Sequence, residues 1–399
     1  MAFASSSNST AESSYSSMDE SYLLWLLSDS NLPTGGFVAS SGLESYVSHG
    51  FLHLPPASSA PSSSFPSAEA RKSKSKEDQM AEATLRFLQD SLGSYARSAL
   101  PFLREAHSVT CWYLDFPSPD GESGEAEGRK RLELCLSQLA HLEQTYHSLS
   151  LNHVLRRASR AQGIALLTLY ARSFSSVPFP SSETRQEERD VSSAQVYKEV
   201  RSQRAAGLIE ALKKHVRLAS VKGGAPYGHL PTCWAVFTAC LGVGLRSATS
   251  LHLFLQARSV LSSSVRLNTL GPYLAHGLLL GPVKDILQSL EEEVNSEHDI
   301  GQQGKSEAKQ GARWEESRAS TTDTERSPNT SASTRVDKSA FEWDWEEEGD
   351  WYADELSAGH HRPLSPQGPS GLRPPVNTWP LGEIVQGRHD ALHSRLFNS

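Results

Sequence analysis

The chain has 399 residues and a formal net charge of −8, which comes from one place: nineteen Asp and Glu against seven Lys and Arg lie between Glu291 and His360. The 27 acids and 31 bases elsewhere leave a mildly basic remainder without the Lys/Arg clusters interleaved with aromatics that would make a nucleic-acid surface. The most apolar window, Pro231 to Leu245, is shorter than the ~20 residues of a membrane span, and no Lys or Arg precedes Arg71, so no membrane or secreted class fits and a cytoplasmic protein is expected.

Residues 1–20 are Ser-rich, too polar to pack a core. Leu23, Leu24, Leu26 and Leu27 with Trp25 form a short apolar helix. Pro33, Gly35 and Gly36 end it, because proline cannot continue a helix and glycine accepts positive φ. Ser41 and Glu44 have the S-x-x-E spacing of a capping box, which predicts a second helix from Ser41 through Leu43 and Tyr46 to Gly50. Pro55 to Lys76 mixes Pro, Ser and Lys and reads as an insertion.

Beyond it the hydrophobic period is helical. Ala83 to Ala106 spaces Leu85, Leu88, Leu92, Leu100 and Leu103 by threes and fours, with a kink expected at Pro101. Arg131 to Ser173 continues the pattern, with a break expected at Gly163, and Ser193 to Val221 carries Val196, Val200, Ile209, Leu212 and Val216. Gly228-His229-Leu230-Pro231 opens an apolar helix to Cys240, Ser247 to Leu267 makes the next, and Gly271-Pro272 starts a last one reaching Leu290. From 292 to 375 the chain is polar, acidic and interrupted by Pro, Gly and Ser, so burial cannot offset its ordering entropy. Cys111, Cys135, Cys233 and Cys240 lack C-x-x-C spacing and read as reduced thiols. The expected fold is all-α, a single helical bundle over 21–291 followed, after the insertion, by a tail at 376–399.

Within this frame Leu23 to Gly50, LLWLLSDSNLPTGGFVASSGLESYVSHG, orders a Leu-rich helix, Asp-Ser, Leu-Pro-x-Gly-Gly-Phe and Ser-x-Gly-Leu-Glu followed by an aromatic. After it come Ser98-Ala99-Leu100-Pro101-Phe102, Asn152 to Gln162 with Ala158-Ser159, Gly228-His229, Ala257-Arg258-Ser259, and a closing IVQGRHDALHSRLFNS from Ile384 to Ser399. In this series the chain resembles the UreF family of urease accessory proteins. The departures are the added segments near 55–76, 116–129 and 292–375, and Leu230, which lengthens the Gly-His to Pro spacing.

The resemblance implies a non-enzymatic maturation factor that binds the UreD-type scaffold, also called UreH, and through it recruits the UreG GTPase that delivers nickel to apo-urease. It also implies a homodimer within that complex, no stably bound cofactor, and nickel only in passage. The positions implied for assembly are Gly35, Gly36, Phe37, Glu44 and Tyr46 at the corner and Arg388, His389, His393, Arg395, Leu396 and Phe397 in the tail. Taken as residues, Tyr46 is a rigid aromatic anchor with a polar tip or else a core filler. Arg395 is a forked donor for carbonyls or a carboxylate, or else a solvated side chain. Leu392, Leu396 and Phe397 would line an apolar stripe on a helical, partner-binding tail.

Gly301-Gln302-Gln303-Gly304-Lys305-Ser306 mimics the end of a phosphate loop, but its glycines are two residues apart rather than four and no buried strand precedes them, so the chain does not read as the GTPase itself. His389 and His393 stand four apart as in a zincin helix, with Asp390 in place of a Glu base and no third ligand nearby; a small metal-dependent hydrolase built on them is the alternative function. Arg258, Arg266 and Arg388 supply a second alternative, direct activation of the GTPase by an arginine finger. His360-His361 and the pair His49 and His53 read as solvent-exposed, His229 as a buried hydrogen-bonding residue, and Glu342 to Glu348 with Trp343 and Trp345 as a solvated run.

Overall fold

An amphipathic period sustained over so many segments buries helices against one another, and that is the architecture found. The computed structural model describes residues 20–53, 75–117, 122–175, 191–293 and 375–398, all within the unit formed by Met1–Ser296 and Pro375–Ser399. The phosphate-loop mimic, Glu342 to Glu348 and His360-His361 lie outside the described residues. Helix α1 spans residues 20–27, α2 Leu43–Ser48, α3 Lys76–Leu114, α4 Glu122–Leu149, α5 His153–Leu169 and α6 Val191–Lys222. They are followed by α7 Leu230–Cys240, α8 Leu245–Arg266, α9 Pro272–Leu280, α10 at residues 282–293 and α11 Pro380–Gly387. Among the described residues there is no strand, and the fold is an all-α bundle.

The axis of the bundle is α7. Its sequence, LPTCWAVFTAC, has no charged residue and every one of its side chains is buried, as a helix apolar on all faces requires. Around it pack α3, α5, α6 and α8. Pro231 sits in its first turn, where the missing N–H costs nothing. The backbone N–H groups of Tyr227 and His229 there donate to the buried carboxylate of Glu143 on α4. His229 is fully buried, its ring against Ser159 and His147, as its sequence position indicates. All four cysteines are free thiols.

The helix boundaries differ from the sequence expectations where long-range contacts intervene. Ser75 and Asp78 form a capping box that starts α3, and the helix runs through Pro101 to Leu114 instead of ending near Ala106. Pro101 has no N–H for the carbonyl of Arg97, and the N–H of Val376 takes that carbonyl at 3.3 Å, anchoring the chain where it returns to the bundle. The expected break at Gly163 is absent. Helix α4 stops at Leu149, α5 restarts after Asn152, and Gly163 sits inside α5, where a Cβ would lie 2.3 Å from the carbonyl oxygen of Gly228. The last predicted helix is two, divided at Gly281, because Pro282 begins a new one.

Candidate partner-binding site at the corner and tail

The corner begins where α1 ends. Asp29 caps its own loop by accepting the N–H of Asn31 at 2.9 Å, Gly35 takes φ +73°, and Gly36–Val38 form a single 3-10 turn. Helix α8 holds this loop from below. Arg258 donates to the carbonyl of Ser28, Arg266 to that of Phe37, and Ser259 and Ser263 both to that of Ala39. Two of the three arginines nominated as fingers are therefore engaged in building the corner, while Arg388 is exposed.

Helix α2 corrects the capping-box reading. Ser41 lies at φ +53° and Gly42 at φ +86°, so α2 starts at Leu43, and the hydroxyl within reach of the N–H of Glu44 belongs to Ser40, at 3.4 Å. Glu44 does not turn back to cap its own helix. Its buried carboxylate accepts from the backbone N–H groups of Leu396 and Phe397, the latter at 3.1 Å, and faces Nε2 of His389 at 2.9 Å. Gly42 makes room for this contact, since a Cβ there would lie 3.1 Å from the side chain of Gln386.

The tail is not the continuous helix that the sequence suggested. Helix α11 ends at Gly387, His389–Ala391 form a 3-10 turn, and residues 392–398 run without helix. The zincin-like pairing fails for the same reason: His389 is buried against Glu44, whereas His393 is exposed beyond the turn, so the imidazoles share no helix face. The apolar stripe also dissolves, with Phe397 buried and Leu396 60% exposed.

Polar contacts fasten the tail along its length. Ser45 donates to the carbonyl of Val385, and Asn152, whose side-chain oxygen caps α5, donates to Gln386 Oε1 at 3.0 Å. Arg157 grips Asp390 with two bonds of 2.8 Å and reaches the carbonyl of Asn398, and the Asn398 N–H returns to the carbonyl of Val38 at 2.8 Å. Arg395 adds a 3.0 Å bond to Asp390. The Arg157 guanidinium holds the Asp390 carboxyl well below the usual carboxylate range. Asn152, Arg157 and Asp390 are not among the sequence-predicted partner-binding positions; Asn152 and Asp390 fall in sequence patterns that point to other roles, and no local pattern links either of them to Arg157.

Tyr46 is half-buried, its ring among those of Phe51, Phe87 and Trp379 at centroid distances of 5.3, 5.0 and 6.1 Å. Burial pushes its phenol pKa up, and Asp90 adds to the shift. Phe37 is 58% exposed, and the Arg266 guanidinium lies over both Phe37 and Phe397 at under 6 Å. Between the corner, the Ala158, Ala161 and Ala165 face of α5 and the tail lies a groove of about 750 Å³ with Arg157 and Arg395 in its wall. The structure thus joins Gly35, Gly36, Phe37, Glu44, His389, Arg395, Leu396 and Phe397 in one surface or its support, with Tyr46 on α2 packed against Phe51, Phe87 and Trp379 and with His393 and Arg388 at the margin.

Two sequence segments more than 300 residues apart, each with its own fixed pattern, meet here in an interlocked joint. The UreF family model matches residues 79–281, and urease accessory protein 6 of Cryptococcus neoformans var. grubii is 32% identical over 384 residues, 96% of this chain and 98% of that one. The chain belongs to the UreF family. An uncharacterized UreF-like urease accessory protein of Schizosaccharomyces pombe is also similar, at 23% identity over 271 residues, 68% of this chain and 82% of that one. This UreF-family chain has its role in urease maturation, among the components of that system, in a family of accessory proteins rather than catalysts. Among its described residues, no helix is long and apolar enough to cross a membrane.

Proposed function

We propose that the corner and tail form the surface by which this chain binds a UreD/UreH-type scaffold, recruits the UreG GTPase, and so times the delivery of nickel to apo-urease. Nickel is cargo on this reading, not a resident cofactor, and the assembly contains two copies of the chain. The observation that carries it is the Glu44 joint. A carboxylate buried to receive three tail donors fixes the tail's path, which leaves Arg395 and Leu396 presented together at the groove. Preordering these side chains lowers the entropy cost of docking a partner.

The test is co-expression with the scaffold, comparing the intact chain, a chain ending before Ile384, and Arg395→Ala. The intact chain should co-purify with the scaffold and both variants should be lost from the complex while keeping the helical signal of the bundle. Retention of the shortened chain at wild-type levels would sink the assignment.

A further inference from the structure

Helix α6 changes character along its length. In its first half two cations are tied to the bundle: Arg201 pairs with Asp115 at 2.8 Å, and Arg204 donates to the carbonyls of Leu114 and Phe116. Lys213 follows with Glu210 at 3.3 Å. From Ala211 to Gly224 there is no Asp or Glu, while Lys213, Lys214, Arg217 and Lys222 remain. Among the described residues, Lys214, Arg217 and Lys222 meet no carboxylate.

The register of this segment is fixed. Leu212, Val216 and Ala219 are buried in the bundle, so the opposite stripe is held outward. That stripe carries two bare aliphatics, Leu218 at 45% and Val221 at 87% exposure, spaced with Lys214, Arg217 and Lys222 on one helix face. The helix dipole accounts for a cation in the last turn, Lys222, but not for Lys214 two turns earlier, nor for Leu218 and Val221.

We propose that the outer face of α6 from Lys214 to Lys222 docks a partner protein through an acidic segment that carries aliphatic residues. Carboxylates on that segment would complement the three unmatched cations, and its aliphatics would cover Leu218 and Val221. A nucleic-acid surface is disfavoured because the stripe has no Phe, Tyr or Trp on which a base could stack. A bilayer is disfavoured because two aliphatics without Trp or Phe give too little apolar area to insert. The face uses none of the corner or tail residues, so its failure and that of the scaffold assignment are separate events.

The experiment is fluorescence anisotropy on the full chain with a labelled dodecapeptide of eight glutamates and four leucines. An all-glutamate dodecapeptide is the control, with vesicles containing phosphatidylserine and a 20-base-pair duplex as competing probes. Wild type should bind the leucine-containing peptide more tightly than the control. The triple variant K214E/R217E/K222E should lose at least tenfold for both peptides, and L218S/V221S should lose about fivefold for the leucine-containing peptide alone. Undiminished binding by the charge-reversed chain, no difference between the two peptides, or tighter binding to vesicles or duplex than to peptide would each overturn the proposal. Unchanged circular dichroism in both variants guards against misfolding.

Discussion

Glu44 shows how a single side chain can tie distant segments together. Replacing it with alanine removes one charged acceptor from three donors, each such bond contributing about 1.5–3 kcal/mol, but the tail can undock into water rather than stay unpaired, so the loss is capped by the docking free energy. Glu44→Ala is therefore expected to release the tail, seen as a rise of about tenfold or more in tryptic cleavage after Arg388 and Arg395, with Glu44→Gln intermediate. An unchanged cleavage rate would show that the other tail contacts suffice.

Glu143 gives a pH dependence with a definite sign. Burial pushes its pKa from 4.5 up to about 7 despite the backbone N–H groups it accepts. The folded state then holds the proton more tightly than the unfolded one, so this group's contribution is full below pH 4.5 and lost as pH rises through 7, on the order of 3 kcal/mol in all. His229, pushed down to about 3 mainly by burial, acts oppositely: its contribution is lost as pH falls below 6.5. Urea midpoints from pH 4 to 8 should therefore fall more steeply on the alkaline side in wild type than in Glu143→Gln.

At the scale of elements, α5 is defined by two residues that do different work. Asn152 starts it and also reaches Gln386, so Asn152→Ala should cost about 1 kcal/mol for the cap and more for the lost link to α11, measured by chemical denaturation. Gly163 lets it lie against the loop before α7. Gly163→Ala should destabilise by about 1–3 kcal/mol or more, because the atom its Cβ meets is backbone and cannot swing aside. A neutral result would mean that α5 can shift as a body. The long α3 contributes differently: Pro101 leaves its helix intact and hands the Arg97 carbonyl to Val376.

For the whole molecule, the bundle is a platform on which chain segments from both ends meet. Segment 375–398 first touches α3, through Asn377 and Ser94 as well as Val376 and Arg97, then crosses α2 and α5 before ending at the corner. An interruption of this route at Arg157 should loosen everything beyond it. Arg157→Ala removes the grip on both Asp390 and Asn398, and hydrogen exchange at residues 390–398 should speed up while that of α7 stays slow. Equal acceleration in both would contradict a local anchor.

Much of this was legible in the sequence because it is locally encoded. The helical period, the apolar run of α7 between Gly228 and Gly242, and the glycines at the corner are set by neighbours within one or two turns. The motif order identified the family for the same reason. What only the tertiary structure decided depends on partners far away in sequence: Glu44 faces His389 across 345 residues, Gly163 tolerates no side chain because Gly228 lies against it, and His389 is buried rather than offered to a metal. A capping-box spacing and a glycine inside a helix each have a common local use, and neither carries a mark of which distant backbone will occupy the space beside it.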